Sequence, residues 1–353
     1  MVRGKGVKVI RSKASETIKL LRNLKLLNNK LRIKQVGDYV IIPLRSDAEI
    51  TKVSNLISDV EIVDDNFELN LRGFTYKELL ELGLFGKVPK EVIDDLPRSF
   101  EIIGDIAILK IKNLRVINYS DAIFKAIKAV SKNVRTVYAE VPGLEGDFRI
   151  RKLIFLGGER KSATIHKEYG ISIFIEVDKV YFNVSLSEEH RRIASEVGNN
   201  EVIADLFCGV GPFSLHIASK AYSLIYSVDI NPYAIECLLR SIELNKNRLR
   251  GYIIPINADV KHFLKIVQDF TFDRVIMNLP HKAIHYVRFV WSKVKLGGKL
   301  YVYTLGSNTE EVINKVNTVL INDGISNYSI INVVKVLDYA PHKYIFRVEI
   351  IKL

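Results

Sequence analysis

From residue 201 onward, short apolar runs alternate with helical stretches, and this alternation restricts the fold more than any other feature of the chain. Apolar segments lie near 201–207, 223–228, 252–256, 273–277, 299–303, 329–336 and 344–351. Helix-like stretches at 213–219, 233–246, 260–267, 284–294 and 307–322 separate them, and another at 188–197 precedes the set. Strands separated by helices pair in parallel and need cover on both faces. The expected fold is therefore α/β, a Rossmann-like doubly wound sheet. The last two strands, joined by Asp338-Tyr339-Ala340-Pro341, are expected to form an antiparallel hairpin at one edge.

The turn after the first of these strands carries the chemistry. It reads Asp205-Leu206-Phe207-Cys208-Gly209-Val210-Gly211-Pro212-Phe213. Glycines let a ligand approach the backbone, and the next strand ends in Asp229-Ile230-Asn231-Pro232. Asp229 lies 18 residues after Gly211, the distance at which an acidic residue binds the two hydroxyls of a ribose. A dinucleotide fits poorly. The third glycine of the fingerprint is replaced by Ser214, and Pro212 has no N–H for a pyrophosphate. A nucleoside cofactor without phosphate fits better. S-adenosylmethionine supplies a ribose for Asp229 and a cationic sulfonium for the neighbourhood of Asp205.

Two later strand ends complete the pattern. Asn257-Ala258-Asp259 follows the third strand, and Met277-Asn278-Leu279-Pro280-His281 follows the fourth. Ligands of open α/β sheets bind at these carboxyl ends. The Asn278 amide can hold a planar base or the amino-acid end of the cofactor, and Pro280 stiffens the exit. The expected cofactor set is Asp205, Phe207, Gly209, Gly211, Asp229, Ile230, Asn231, Asp259, Asn278 and Pro280.

No apolar run reaches the roughly 18 residues of a membrane helix, and no signal-peptide core is present. Cys208 and Cys237 are the only cysteines, too few for a disulfide scaffold or a four-cysteine zinc site. A monomeric cytoplasmic protein is expected. The formal net charge is +12, and residues 1–35 hold eleven Lys/Arg against the single acid Glu16, which is +10 of it. A cluster this lopsided suggests a polyanionic partner.

Residues 1–70 read as a small basic α+β domain, with a helix over Ala14–Leu27 and strands near Tyr39–Pro43 and Val60–Val63. Residues 71–170 read as a second α+β domain that binds RNA or links. It has strands at Ile106–Ile111 and Val134–Val141, a helix at Ser120–Val130, and loops over the glycine-rich stretch 142–160. Residues 171–353 form the doubly wound domain.

Several segments together resemble the archaeal and eukaryotic tRNA (guanine-37-N1)-methyltransferase family. They are Pro97-Arg98-Ser99-Phe100-Glu101, Gly146-Asp147-Phe148-Arg149-Ile150-Arg151, Thr164-Ile165-His166-Lys167-Glu168, Lys179-Val180-Tyr181-Phe182, the glycine loop, Asp229-Ile230-Asn231-Pro232 and Met277-Asn278-Leu279-Pro280. The likeness covers most of residues 97–353. It implies a class I methyltransferase that uses S-adenosylmethionine and no metal, with tRNA as partner at the anticodon loop and, through the N-terminal domain, at the elbow. It implies Glu189 as general base, Arg149 as the catalytic arginine, and Asn278 beside base and cofactor. Arg149, Arg151, Tyr181 and His281 become candidate substrate contacts. Ser185 stands where family members often carry Arg, and His281 where many guanine-N1 members carry Lys. Related archaeal enzymes methylate C7 of the wyosine precursor 4-demethylwyosine at the same nucleotide, which is an alternative substrate.

The chemistry suits these groups. N1 of guanine carries a proton and is a poor nucleophile. A carboxylate such as Glu189 can accept that proton, and a guanidinium such as Arg149 can stabilise charge growing on O6. A C5-cytosine methyltransferase would need a nucleophilic cysteine, and neither Cys208 nor Cys237 is suitably placed. An amino-methyltransferase would show an aromatic residue after Asn-Pro-Pro, where Leu279 and His281 stand. The missing third glycine disfavours a dehydrogenase. A non-catalytic tRNA-binding protein would have no use for Asp229 together with Asn278.

Overall fold

A computed structural model describes residues 1–48, 60–145 and 150–353, with side chains described up to residue 142 and again from 150. The chain condenses into two compact units. One holds Met1–Arg98, Lys112–Arg135 and Leu156–Gly158; the other holds Ser99–Ile111, Thr136–Phe155 and Glu159–Leu353. Both draw on residues 71–170.

In the first unit, β1 (Val2–Ile10), β2 (Lys34–Val36), β3 (Tyr39–Pro43) and β4 (Glu61–Phe67) form an antiparallel sheet in the order β2-β3-β1-β4. Strand β1 was not expected. Glycines and lysines interrupt its alternation, yet Val7 and Val9 point into a core with Leu21, Val40 and Ile42. Helix α1 (Ala14–Asn23) stops short of Leu27 because Lys25 takes a left-handed φ of 58°. Helices α2 (Tyr76–Glu81), α3 (Lys90–Asp95) and α4 (Ser120–Val130) belong to the same unit. Thr75 and Glu78 close a reciprocal cap on α2. The basic cluster is partly neutralised here. Lys8 pairs with Glu61, Lys30 with Glu78, Arg32 with Glu68 and Lys34 with Asp65, all at 2.8–3.0 Å.

The second unit contains three sheets. Strands β5 (Glu101–Ile103), β6 (Ile106–Lys110), β7 (Thr136–Glu145) and β8 (Ile150–Gly158) lie in that order. β8 corrects the expectation of loops over 142–160. Its apolar residues Leu153 and Phe155 pack on the core of this unit despite the flanking glycines. β9 (Ala163–Glu168) and β10 (Ile171–Glu176) form a hairpin turned by Tyr169 and Gly170, both at positive φ. The boundary expected at 170/171 falls on this turn.

The large sheet comprises β11 (Val202–Asp205), β12 (Leu224–Asp229), β13 (Tyr252–Asn257), β14 (Phe272–Met277), β15 (Val294–Gly306), β16 (Tyr328–Ala340) and β17 (Lys343–Lys352). Its order is β13-β12-β11-β14-β15-β17-β16. The first five strands are mutually parallel, and β17 runs antiparallel to both neighbours. The final hairpin is present, with β16 at the edge. Helices α5 (Ser187–Ser195), α6 (Pro212–Lys220), α7 (Pro232–Asn245), α8 (Val260–Ile266), α9 (Val287–Val290) and α10 (Thr309–Asn322) cover the faces.

Strand alternation assigns the two faces. Ala204, Val275, Leu300 and Val302 pack against α8, α9 and α10, while Ile203, Ile276, Tyr301 and Tyr303 pack against α5 and α6. The stretch expected as one helix over 284–294 is broken, with 3-10 turns at Ala283–Tyr286 and Trp291–Lys293 on either side of α9. Among the described residues no helix is long and apolar enough to cross a membrane.

Candidate active site

The glycine loop is built by its neighbours. Leu206 N–H donates to the Ile276 carbonyl and Cys208 N–H to the Val228 carbonyl, which fixes the exit from β11 against both adjacent strands. Gly209 and Gly211 both take left-handed φ values, 54° and 75°. Gly211 is required twice over, because an added Cβ would also meet Leu238 Cδ1 of α7 at 2.4 Å. At Gly209 the space is open. Among the described residues an added Cβ would meet nothing nearer than the Tyr181 carbonyl at 4.0 Å, leaving a gap into which a ligand can lie against the backbone.

Asp229 frames this gap. Its Oδ2 accepts from Gly209 N–H at 2.8 Å and its Oδ1 from Asn231 N–H at 2.9 Å. Burial raises its pKa, opposed by these N–H donors. Asn231 caps α7 and donates to the Lys179 carbonyl, so it secures the Asp229 turn. Ile230 is exposed beside it and offers an apolar surface. Asp259 caps α8 through Oδ1, accepting from Lys261 and His262 N–H. The half-buried Phe207 ring meets Tyr286 edge-on at 5.0 Å. Asn278 and Pro280 are half-buried beyond the end of β14, and the exposed His281 shares a 3.1 Å hydrogen bond with the Tyr339 hydroxyl.

Asp205 is fully buried. Its Oδ2 accepts from Ser214 Oγ at 2.8 Å, and Ser227 Oγ donates in turn to Ser214 Oγ. Its Oδ1 is buried without a hydrogen-bond partner among the described residues. Burial pushes the carboxyl up to about 7, Asp229 adds to the rise, and Ser214 opposes it. An orphaned acidic oxygen next to an open glycine backbone and a ribose-type carboxylate fits a cationic nucleoside.

Glu189 faces inward from the first turn of α5 and is only 7% exposed. Its Oε1 accepts from Tyr303 O–H at 2.7 Å and from Arg347 Nη1. Arg347 is fully buried and also donates to Glu349 Oε1. Burial, and then the charge of Glu189, hold the Tyr303 hydroxyl far above its usual range, so it stays a donor. Phe213 of α6 packs on Tyr303, linking this carboxylate to the helix that leaves the glycine loop. The adjacent Glu188 faces solvent and pairs with Arg191 and Tyr169.

Arg151 is buried. It pairs with Glu101 at 2.7 Å, donates to the Phe182 carbonyl and lies 5.3 Å from the half-exposed Tyr181 ring. Its donors serve the protein. Arg149 lies outside the described residues. Sequence reasoning missed Tyr303, Arg347 and Glu349. The only signal for them was the opposite-charge pair two positions apart inside the apolar strand Phe346-Arg347-Val348-Glu349-Ile350. A cavity of about 660 Å³ against α10 and β16 contains no residue of the glycine loop or of the parallel strand ends.

Three family descriptions match the chain. They are the TRM5/TYW2 methyltransferase domain over residues 164–330, the TYW2 N-terminal domain over 78–161 and the tRNA methyltransferase 5 N-terminal domain over 6–52. A tRNA (guanine(37)-N(1))-methyltransferase Trm5b of Pyrococcus abyssi is 36% identical over 81% of this chain and 79% of its own. The chain belongs to the TRM5/TYW2 methyltransferase family. A Trm5b of Methanocaldococcus jannaschii is 32% identical over 97% of both chains. A solved structure described as the complex of aTrm5 and tRNALeu superposes with a TM-score of 0.72 at 28% identity, covering 99% of each chain. The TRM5/TYW2 domain match spans β9 through the start of β16, so it takes in the glycine loop, Asp229, Glu189 and Asn278.

Proposed function

We propose that this chain transfers a methyl group from S-adenosylmethionine to N1 of guanosine 37 in the tRNA anticodon loop. The observation that carries the reading is the pairing of the Asp205–Gly209–Asp229 pocket with an inward carboxylate, Glu189, on the helix packed beside it. Bound S-adenosylmethionine supplies an electrophilic methyl group. Asp229 receives the ribose hydroxyls while its own carboxylate stays ordered by Gly209 and Asn231. Asp205 faces the cationic part, Ile230 and Phe207 offer apolar contact, and Asn278 and Pro280 bound the target base. Both donors to Glu189 converge on Oε1, which leaves Oε2 to take the N1 proton. Arg149 is assigned to O6. Arg151 holds the Tyr181 ring in place, and Tyr181 and His281 line the base side. The chain acts as a cytoplasmic monomer, with residues 1–70 on the tRNA elbow, 71–170 linking and binding RNA, and 171–353 performing transfer. Mass spectrometry of nucleosides from tRNA incubated with enzyme and S-adenosylmethionine tests this directly. 1-Methylguanosine is expected, and its absence would end the proposal.

A second reading, C7 methylation of 4-demethylwyosine, is favoured by the TYW2 N-terminal match over residues 78–161 and by His281 in place of a common Lys. The same assay on tRNA carrying the wyosine precursor separates the two.

Asp229→Ala should weaken S-adenosylmethionine binding by about 1–3 kcal/mol, the scale of a lost charge-assisted hydrogen-bond pair. The substitution also frees two backbone donors at Gly209 and Asn231, so the upper part of that range is expected. Unchanged calorimetric affinity would remove Asp229 from the ribose role.

The basic cluster yields a second test. With Lys8, Lys30, Arg32 and Lys34 paired to acids, the exposed Arg11, Lys19, Arg22 and Lys25 around α1 are the stronger candidates for phosphate binding. Replacing these four by Gln should weaken tRNA binding and reduce the log–log salt slope by about 0.7–0.9 for each phosphate no longer neutralised. Cofactor affinity should not move. An unaltered slope would make the cluster a solvated surface only.

A further inference from the structure

Beside the helix that follows the glycine loop, β9, α5 and α6 bring histidines around one carboxylate. Glu168, His190 and His216 are all buried. His190 Nδ1 lies 2.9 Å and His216 Nε2 3.2 Å from Glu168 Oε2. Glu168 Oε1 is buried and has no hydrogen-bond partner among the described residues. Among the described residues, no Lys or Arg pairs with Glu168. Buried carboxylates are ordinarily capped on both oxygens or matched by a cation, and this one lacks either on Oε1.

A third ring, His166, places Nε2 3.9 Å from Oε1. Its Nδ1 accepts from Gly104 N–H at 3.2 Å, so the neutral ring carries its proton on Nε2 and cannot bind a metal there. The candidate donor atoms are therefore one carboxylate oxygen and two imidazole nitrogens, all within 4.8 Å of one another.

We propose that Glu168, His190 and His216 hold a structural divalent transition-metal ion of the zinc type, a site separate from the methyl-transfer chemistry. Two imidazoles and a carboxylate are a zinc donor set. A tetrahedral ion bound at about 2.0–2.2 Å sets its ligand atoms roughly 3.4 Å apart. The two Glu168–His separations of 2.9 and 3.2 Å need to open by a few tenths of an ångström, and the two imidazole nitrogens, which lie within 4.8 Å of each other, need to come to the same spacing by side-chain rotation. The fourth position can be water. His216 lines a cavity of about 410 Å³ with Tyr169, Lys220 and Arg248, which provides a way in. The cations at its mouth are exposed and screened over about 8 Å at physiological salt. The ion would tie the β9–β10 hairpin to α5 and α6, the helices that carry Glu189 and the glycine-loop exit.

The test uses the full chain without a histidine tag. After dialysis against Zn²⁺-containing and then metal-free buffer, elemental mass spectrometry should find one zinc per chain. Zn²⁺ at a hundredfold excess over its Kd should raise Tm by about 4 °C. His216→Gln should retain at most about a tenth of the wild-type zinc and lose the thermal shift, whereas His285→Gln, at an exposed position, should keep both. Co²⁺ in place of Zn²⁺ should give the visible bands of a low-coordinate site in the wild type and not in His216→Gln. A wild-type chain that retains neither Zn²⁺ nor Co²⁺ overturns the proposal, and that result does not depend on any variant folding. Equal retention by His216→Gln and wild type overturns it as well, because the ion then lies elsewhere.

Discussion

Glu189→Gln is expected to slow single-turnover methylation by on the order of 10²-fold or more, equivalent to about 2.7 kcal/mol of transition-state stabilisation. Affinities for cofactor and tRNA should stay near wild type, which places the loss in the chemical step. The geometry makes the test specific. The substituted amide can still accept the Tyr303 and Arg347 hydrogen bonds through its carbonyl oxygen, and Arg347 keeps Glu349 as its charge partner. The fold should therefore survive, and thermal melting checks that it does. What the amide cannot do is take a proton. Glu188→Gln serves as the control, since Glu188 faces solvent with Arg191 and Tyr169. A near-normal rate for Glu189→Gln would reduce Glu189 to a structural partner of Arg347.

The reach of the sequence differs between elements for physical reasons. The parallel strands were legible because each is an apolar run bounded by turn residues, largely buried in β11 and β14 and kept apolar even in the exposed edge strand β13. The glycine loop was legible because a left-handed turn demands glycine, and the Asp229 strand end because it follows that loop at a fixed spacing and accepts from Gly209 N–H. Strands β1 and β8 were not, since Gly and Lys in one and flanking glycines in the other mask a periodicity that only tertiary packing completes. The surroundings of Glu189 could not be read either. Tyr303 and Arg347 arrive 114 and 158 residues later, on strands whose order in the sheet places them under α5. The Glu168 cluster is of the same kind, with His190 and His216 following 22 and 48 residues later. Nothing in local spacing brings such groups together.

Asp205→Asn should have opposite effects on the fold and on cofactor binding. The folded carboxyl has a pKa near 7, raised from 3.8 by burial. The folded state therefore holds its proton more tightly than the unfolded chain. Its contribution to stability is complete below about pH 4 and is lost as pH rises through 7. Above pH 7 the ionised group costs about 4 kcal/mol, from roughly three units at 1.36 kcal/mol each. Asparagine removes that cost. It still accepts from Ser214, but its amide N–H₂ replaces the unpartnered Oδ1 and costs about 1–3 kcal/mol as an unsatisfied donor. A net gain of about 1–3 kcal/mol at pH 8 follows from these two magnitudes, seen as a higher Tm that crosses the wild-type value and falls below it as pH drops toward 4, where only the amide cost of about 1–3 kcal/mol remains. Cofactor binding should respond in the other direction. A cationic ligand favours ionised Asp205, so wild-type binding near pH 6 should release protons and tighten toward pH 8, while the variant should bind more weakly with no such dependence. Proton release is read by calorimetry in buffers of different ionisation enthalpy. A variant less stable than wild type at pH 8, with unchanged pH dependence of binding, would mean that Asp205 is already ionised in the free protein and that its orphaned oxygen is satisfied by solvent.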